Sequence, residues 1–386
     1  MKLRIGLITS EFPPDFGGVE TYAWQLTKEL GARPDLQVTV YVPPKSAGVT
    51  APQNVTIKPI LQSCEGLDWP RLRNEPIDVW HALSAGHAWI ARKCERTVVS
   101  VHGNDFLAPY PLTARPALAL AGVWRWRPWA WKNLAALWRE TTRRMLARSL
   151  PKASAILANS HYTADVLAQL YPACAEKMRV AWVGVAPEFF EVPRATPRAE
   201  SLLLTVCRLS EQRKNVGLVL RALADLKDRF EFDYVIAGEG VLRPELERLA
   251  DALDLGSRVR FAGRLSDDAL RDLYAHADLF VLTASIVPAS HEGFGIVYLE
   301  AAASGVPSLA ARLAGAAEAV AEGQSGFFVE VPDVTSIREA LARYLSGSIR
   351  FDAAACREFA RGFSWARVAD VAEAAYREIS TRNPRT

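Results

Sequence analysis

Long apolar runs are missing from this 386-residue chain. No stretch is long and uncharged enough to span a bilayer. The run at residues 5–8 is far too short for a secretory leader, and Glu11 soon follows. Cysteine is scarce as well. Cys64, Cys94, Cys174, Cys207 and Cys356 are scattered, odd in number and without C-x-x-C spacing. That excludes a disulfide framework and a zinc site and fits a reducing cytosol. Charge of one sign is not in excess: a net charge of +3 argues for no particular partner. Two nucleotide fingerprints are absent. The first apolar run leads into EFPPDFGGVE, which is not G-x-G-x-x-G, and no Walker A motif occurs, so dehydrogenase and P-loop chemistry are disfavoured.

What remains is an ordinary globular composition, half hydrophobic and 23% charged, in a chain too long for one typical core. Residues 3–9, LRIGLIT, read as a strand that ends in a Pro- and Gly-rich loop. Val19, Tyr22, Ala23, Leu26 and Leu30 follow at helical spacing. Apolar runs recur at 38–42, 77–80, 97–101 and 153–158. Short buried strands separated by helices predict a parallel sheet covered on both faces. The pattern breaks at residues 186–199, APEFFEVPRATPRA, which reads as a hinge. It then restarts with strands at LLLTVCRL, 232–237, 259–261 and 279–283. Helices are expected at 216–226, after Ser266, at 336–345 and from Trp365 to Ile379. The expectation is an α/β chain of two doubly wound Rossmann-like domains, 1–190 and 191–365, with the last helix, 366–386, returning to the first. Their strand ends would face each other across a cleft.

The stretch HEGFGIVYLEAAASG, from His291 to Gly305, is the densest in chemistry. Glu292 and Glu300 bracket seven residues, with the turn Gly293-Phe294-Gly295 just after the first acid. A helix starting near Ile296 puts Glu300 about a turn and a half inside it. The amides near Phe294, Gly295 and Ile296 become the unpaired donors of a helix N-terminus, a seat for phosphate. A diphosphate on amides with an acid on either side suits a sugar nucleotide, whose hydroxyls donate to carboxylates. A capped helix with two incidental acids is the plainer alternative.

FPPDFGGVE, VHGND, CRLSEQRKN, IAGEG, VRFAGRLSDD, EGFGIVYLEAAASGVP and GQSGFFVEVPD occur in that order along nearly the whole chain. In this the chain resembles the retaining nucleotide-sugar glycosyltransferases of family four, which have the GT-B fold. Arg208 and Lys214 follow the first strand of the second half. Two cations there can neutralise a diphosphate as it departs and so lower the barrier selectively. The alternative is a solvated basic turn, with Arg213 beside them and Glu211 able to pair with either. Gly17 and Gly18 would let backbone approach the ligand closely, or simply form a turn and helix cap. The resemblance implies that their loop closes over the donor. It also implies that His102 contacts the donor sugar, that Glu292 reaches the sugar hydroxyls and that Glu300 accepts from the ribose. Asp105 reads as a turn cap, and His81 and His87 have no such context. Glu318 stays outside the site, because Ala314 replaces the first of two glycines usual in the family.

From Arg115 to Lys152 there are nine Lys or Arg residues, one acid (Glu140) and five of the eleven tryptophans. A helix starting at Pro128 would line up Trp131, Leu134, Trp138 and Met145, flanked by Lys132, Arg139 and Arg143. That composition suits the headgroup layer of an anionic membrane, or else a helix packed on the first domain with solvated basic residues outside. Nucleic acid is disfavoured, because the basic segment is local and no binding module accompanies it.

The resemblance thus implies transfer of a hexose, with retention, from a nucleotide diphosphate sugar to a lipid-linked or cell-surface glycan acceptor. No metal or other cofactor is called for. The cysteine usage leads to the expectation of a cytoplasmic location, peripheral on the inner face of the cell membrane in the reading where the basic segment meets the bilayer. EGFGIVYLEA looks most like bacterial mannosyltransferases, which points to GDP-mannose, with a UDP-hexose as the alternative donor. The rivals are a nucleotide-sugar epimerase on the same two-domain plan, needing no acceptor, and a non-catalytic glycan- or membrane-binding protein.

Overall fold

A computed structural model describes residues 2–15, 17–62, 64–108, 128–195 and 200–381, with the side chains of 128–138 outside the description. The chain divides into two compact units: Met1–Val183 with Trp365–Thr386, and Gly184–Ser364.

The first unit holds strands β1 (Leu3–Ile8), β2 (Leu36–Tyr41), β3 (Val55–Lys58), β4 (Val79–Ala82), β5 (Thr97–Val101), β6 (Ala155–Ala158) and β7 (Met178–Val180). They form one parallel sheet in the order β3-β2-β1-β4-β5-β6-β7. Every residue of β4, β5 and β6 is buried. That is why these strands read as continuous apolar runs instead of alternating ones.

The second unit repeats the plan with β8 (Ser201–Val206), β9 (Phe232–Ala237), β10 (Val259–Gly263), β11 (Leu279–Leu282), β12 (Ser308–Ala311) and β13 (Gly326–Val329). The order is β10-β9-β8-β11-β12-β13, again parallel. In both sheets the winding reverses once, between β1 and β4 and between β8 and β11. In sheets of this kind the carboxyl ends of the strands at such a reversal are the usual ligand position. The expected doubly wound α/β class is therefore what the chain forms.

Local signals account for many boundaries. Ser266 caps the helix Asp267–His276, its hydroxyl accepting from the Ala269 amide at 3.3 Å, with Asp267 and Asp268 in the first turn. Four strands, β3, β7, β12 and β13, went unanticipated. β7 has three residues, and β12 is the Ser-Ala run SLAA, poor in strand-forming residues. β12 is a strand because β11 and β13 flank it and bury all four of its residues. The stretch read as a hinge contains a short helix, Glu188–Glu191, and Arg357 donates to the Val192 carbonyl at 3.3 Å. Residues 196–199 of it lie outside the described ones.

In the first unit the final helix, Trp365–Thr381, is tied to the sheet by a buried polar chain. Tyr376 Oη lies 2.6 Å from His81 Nδ1, His81 Nε2 lies 2.8 Å from Ser100 Oγ, and Ser100 Oγ lies 2.8 Å from Tyr22 Oη. Burial, with a lesser contribution from nearby His102, pulls the His81 pKa down to about 3, so the ring is neutral and needs one donor and one acceptor. Tyr376→Phe removes one of them from a fully buried ring. We expect a loss of roughly 1–3 kcal/mol in urea unfolding; an unchanged midpoint would mean that the ring relaxes to another partner.

Candidate functional site

The loops leaving β8 and β11, on either side of the second reversal, are joined to each other. After β8 the chain passes Cys207 and Arg208, makes a 3-10 turn at Gln212–Lys214 and places Asn215 in the left-handed region at φ 59°. Asn215 Nδ2 donates to the Thr283 carbonyl at 2.6 Å and to Ser285 Oγ at 2.7 Å, and the Ser285 amide donates to the Arg213 carbonyl at 2.7 Å. Backbone and amide bonds thus hold the basic turn against the loop that carries Glu292.

This brings Lys214 and Glu292 together: Lys214 Nζ donates to Glu292 Oε2. Arg213 approaches the same oxygen at 3.4 Å through one terminal nitrogen, while its Nε lies 2.6 Å from both Glu211 Oε2 and Ser290 Oγ. The turn is therefore not solvated at Arg213, which is 7% exposed, and Glu211 pairs with Arg213 instead of with Arg208 or Lys214. Arg208 is exposed and has no ion pair among the described residues. Burial alone would push the Glu292 carboxyl upward. The charges of Lys214 and Arg213 and their hydrogen bonds outweigh that and hold it below its ordinary value, so it is an anion at neutral pH.

Just after Glu292 the chain turns through Gly295, at φ 95°, into the helix Ile296–Ala303. A Cβ on Gly295 would sit 2.5 Å from the Tyr298 ring, so both conformation and space require glycine here. Tyr298 is itself held, its hydroxyl donating to the Leu282 carbonyl at 2.6 Å. The amides of Phe294, Gly295 and Ile296 donate to no acceptor among the described residues. A second turn lies against this one: the Gly315 amide donates to the Glu292 carbonyl at 3.0 Å, and a Cβ on Gly315 would meet the Gly293 carbonyl at 2.1 Å. Ala314, where glycine was expected, adopts φ 52°, a left-handed conformation that costs a residue with a Cβ roughly 1–2 kcal/mol.

Glu300 has a different environment. Its one described partner is the Tyr274 hydroxyl at 3.1 Å, from the helix Asp267–His276. Burial raises its pKa to about 7; the Tyr274 bond opposes the rise and Asp267 adds to it. Two acids eight positions apart are therefore set differently, one clamped as an anion and one titrating near neutrality. Arg213, Ser290 and Tyr274 were not singled out from the sequence. Arg213 was visible only as a neighbour of Lys214, and nothing local links Tyr274 to Glu300.

The remaining candidates belong to the first unit. Gly17 is the N-cap of the helix Gly18–Gly31, and a Cβ on Gly18 would meet nothing within 4 Å. Protein packing does not require glycine at 18, and its amide donates to no backbone acceptor among the described residues. Tyr22, one turn on, packs edge-on against His102 with ring centroids 4.6 Å apart. His102 Nε2 lies 2.9 Å from the Leu83 carbonyl and must donate to it, which leaves Nδ1 as an acceptor in the neutral ring. Asp105 is a cap, accepting from the amides of Ala85 at 2.8 Å and His102 at 2.9 Å. His81 belongs to the buried chain described above, and His87 is fully buried.

The basic segment forms a helix, Pro128–Ser149. Of the expected stripe, Met145 packs on the first unit's core beside buried Leu146, so that end faces protein. Arg139 and Arg143 are exposed. The side chains of Trp131, Lys132, Leu134 and Trp138, and residues 115–127 altogether, lie outside the described ones. Among the described residues no helix is long and apolar enough to cross a membrane, and no group of three His, Cys, Asp or Glu could hold a metal ion.

Comparison with known proteins bears on both halves. The family profile described as Glycosyltransferase Family 4 matches residues 16–189, and that described as Glycosyl transferases group 1 matches residues 188–362. The chain is 31% identical over 248 residues to D-inositol 3-phosphate glycosyltransferase of Mycolicibacterium smegmatis, covering 61% of this chain and 56% of that one. It therefore spans about half the length of that relative. It is 28% identical over 365 residues, 88% of each chain, to the same organism's GDP-mannose-dependent alpha-(1-6)-phosphatidylinositol monomannoside mannosyltransferase. Its fold matches sucrose-phosphate synthase from Thermosynechococcus elongatus with a TM-score of 0.75 at 18% identity, covering 98% of this chain and 99% of that one.

The environment of Glu300 makes a testable prediction. A folded-state pKa of about 7, above the ordinary carboxyl value, means that the folded chain holds this proton more tightly than the unfolded chain. The resulting stability is fully present below the ordinary carboxyl range and is lost as pH rises through 7. Glu300→Gln should therefore melt at a higher temperature than wild type at pH 8, with the gap closing toward pH 5. A gap that stays constant with pH would show that Glu300 titrates elsewhere.

Proposed function

The chain belongs to glycosyltransferase family 4, and on that premise we propose that it transfers a hexose, with retention, from a nucleoside diphosphate sugar to an acceptor hydroxyl. The supporting observation is the Lys214–Glu292 pair beside three unclaimed amides, at the reversal between β8 and β11. In this reading Arg208, Lys214 and the amides of Phe294, Gly295 and Ile296 take the diphosphate. Glu292 accepts from sugar hydroxyls and Glu300 from the ribose diol. In the first unit, the open amides near Gly17 and Gly18 serve phosphate, and His102 accepts a substrate hydroxyl through Nδ1.

The chemistry asks little of any side chain as a nucleophile. The bond from the anomeric carbon to the phosphate oxygen breaks, the acceptor oxygen bonds to that carbon on the same face, and the acceptor's proton passes to the departing phosphate oxygen. Negative charge grows on the leaving diphosphate as this happens. Cations preorganised there stabilise the transition state more than the ground state. Arg208 and Lys214 do in this reading what a metal ion does elsewhere.

For the donor, GDP-mannose is the first choice, supported by a relative named for GDP-mannose and aligned over most of its length. UDP-hexoses are the alternative. The same relative's name specifies a phosphatidylinositol mannoside, which supports a lipid-linked acceptor. A basic helix surface then has a use, since such an acceptor is met at an anionic bilayer.

Calorimetry with GDP and UDP tests the phosphate assignment. Arg208→Ala and Lys214→Ala should each weaken the preferred nucleotide by about tenfold or more, the usual worth of a charge-assisted phosphate contact. Equal binding by wild type and both variants would remove the assignment. For the membrane face, the protein should sediment with phosphatidylserine-containing vesicles, less so as salt rises. Replacing Trp131, Trp138, Arg139 and Arg143 together should abolish this, and sedimentation that persists would place the contact elsewhere.

A further inference from the structure

Glu292 Oε2 is approached by two cations, and one of them has a second duty. Lys214 is assigned above to the diphosphate, which carries more negative charge than a carboxylate and draws the lysine toward itself. Its ammonium sits on a flexible stem as a mobile point charge. When it turns to the diphosphate, Glu292 weakens or loses its strongest partner while still 14% exposed at the side chain. A carboxylate in that position either takes up a proton or moves to find another donor.

Arg213 cannot make that exchange. Its Nε is anchored at 2.6 Å on both Glu211 Oε2 and Ser290 Oγ, and its side chain is only 4% exposed. Ser290 precedes Glu292 by two residues and is fixed by reciprocal backbone bonds with Val287, at 2.9 and 3.0 Å. Ser290 Oγ also donates to Glu211 at 3.1 Å, which closes a small ring of partners around the guanidinium. Both cations approach Oε2, and Oε1 accepts no hydrogen bond among the described residues. Glu292 is therefore held by one edge and presents the other.

We propose that Arg213 is a positioning residue for the donor sugar: anchored on Glu211 and Ser290, it keeps the Oε2 edge of Glu292 in place when Lys214 turns to the diphosphate, so that Oε1 remains presented to sugar hydroxyls. The proposal rests on the transferase reading and extends it to a residue that touches neither phosphate nor sugar. The other titratable groups facing Glu292 do not substitute for it. Burial, and then the Arg213 charge, lowers His291 to about 4; burial raises Cys207 to about 11 and Tyr298 well above its ordinary value, so all three are neutral around pH 7. Arg213 and Lys214 are the cations acting on the carboxylate among the described residues.

The experiment compares wild type, Arg213→Met, Arg213→Lys and Ser290→Ala by calorimetry with GDP and GDP-mannose, or with UDP and its hexose, at pH 6 and pH 8. The ratio of the two affinities isolates the sugar contacts. In Arg213→Met the nucleotide alone should bind within about twofold of wild type. The sugar's share should fall roughly tenfold at pH 6 and return in part at pH 8, one decade corresponding to about one pKa unit. Turnover should show the same limb: the loss of kcat/KM relative to wild type should be larger at pH 6 than at pH 8, a comparison in which the titration of Glu300 near 7 is common to both proteins. Arg213→Lys restores most of the loss, and Ser290→Ala, which removes one anchor but no charge, gives a smaller loss of the same kind.

A nucleotide affinity that falls with the sugar's share would overturn the proposal, as would a sugar share unchanged at both pH values. Should Arg213→Met fail to fold, the lysine and serine variants carry the same comparison. Wild type that binds no nucleotide sinks the transferase reading itself. Wild type that binds and turns over, with variants indistinguishable from it, sinks only the role of Arg213.

Discussion

A carboxylate withdrawn from water remains an anion only if positive charge is brought to it, and the second unit is arranged around that constraint at Glu292. The supply comes from a turn some eighty residues earlier in the chain, Gln212–Lys214. It reaches Glu292 because β8 and β11 are neighbours in the sheet, so the loops that leave them lie side by side. Asn215 closes the gap between the loops with two side-chain bonds, and it takes a left-handed conformation to do so. Topology, backbone strain and electrostatics converge on one oxygen atom. Replacing the pair with apolar side chains would remove a desolvation cost, so its presence is better explained by chemistry than by stability.

Glu300 shows the same economy with the opposite sign. With a phenol as its described partner and no cation acting on it, it is an acid that the empty protein holds at a cost. In the proposed complex the ribose diol supplies the donors that the fold leaves out, so binding would relieve strain that folding created. Functional sites commonly hold such unsatisfied groups. The first unit applies the principle more quietly. The Leu83 carbonyl decides which nitrogen of His102 is presented, and the chain from Tyr22 through Ser100 and His81 to Tyr376 joins the sheet behind it to the final helix.

Much of this was legible in the residues. The apolar runs at 97–101 and 232–237 are strands at those same limits, because strands buried on both faces announce themselves by hydrophobicity alone. Ser266 announces its helix by the local chemistry of a cap. Gly295 could be read as a turn because few other residues adopt its conformation. The glycine expected at 314 is absent, yet Ala314 bends as a glycine would, so the surrounding packing overrides the local preference. Strand β12 was illegible for a related reason: serine and alanine favour no strand by themselves, and only burial between two neighbours makes one of them.

The sequence by itself determined the class of the fold, the positions where acids, cations and glycines stand along the chain, and the likeness to family 4, since each depends on local pattern or on spacing. Which side chains meet was left to the tertiary structure. That Arg213 turns inward to Ser290, that Lys214 rests on Glu292, and that Tyr274 attends Glu300 are contacts across 26 to 78 residues. Burial gives these contacts their strength and sets the charge each group carries, and burial is a property of the packed chain with no counterpart in any short stretch of it.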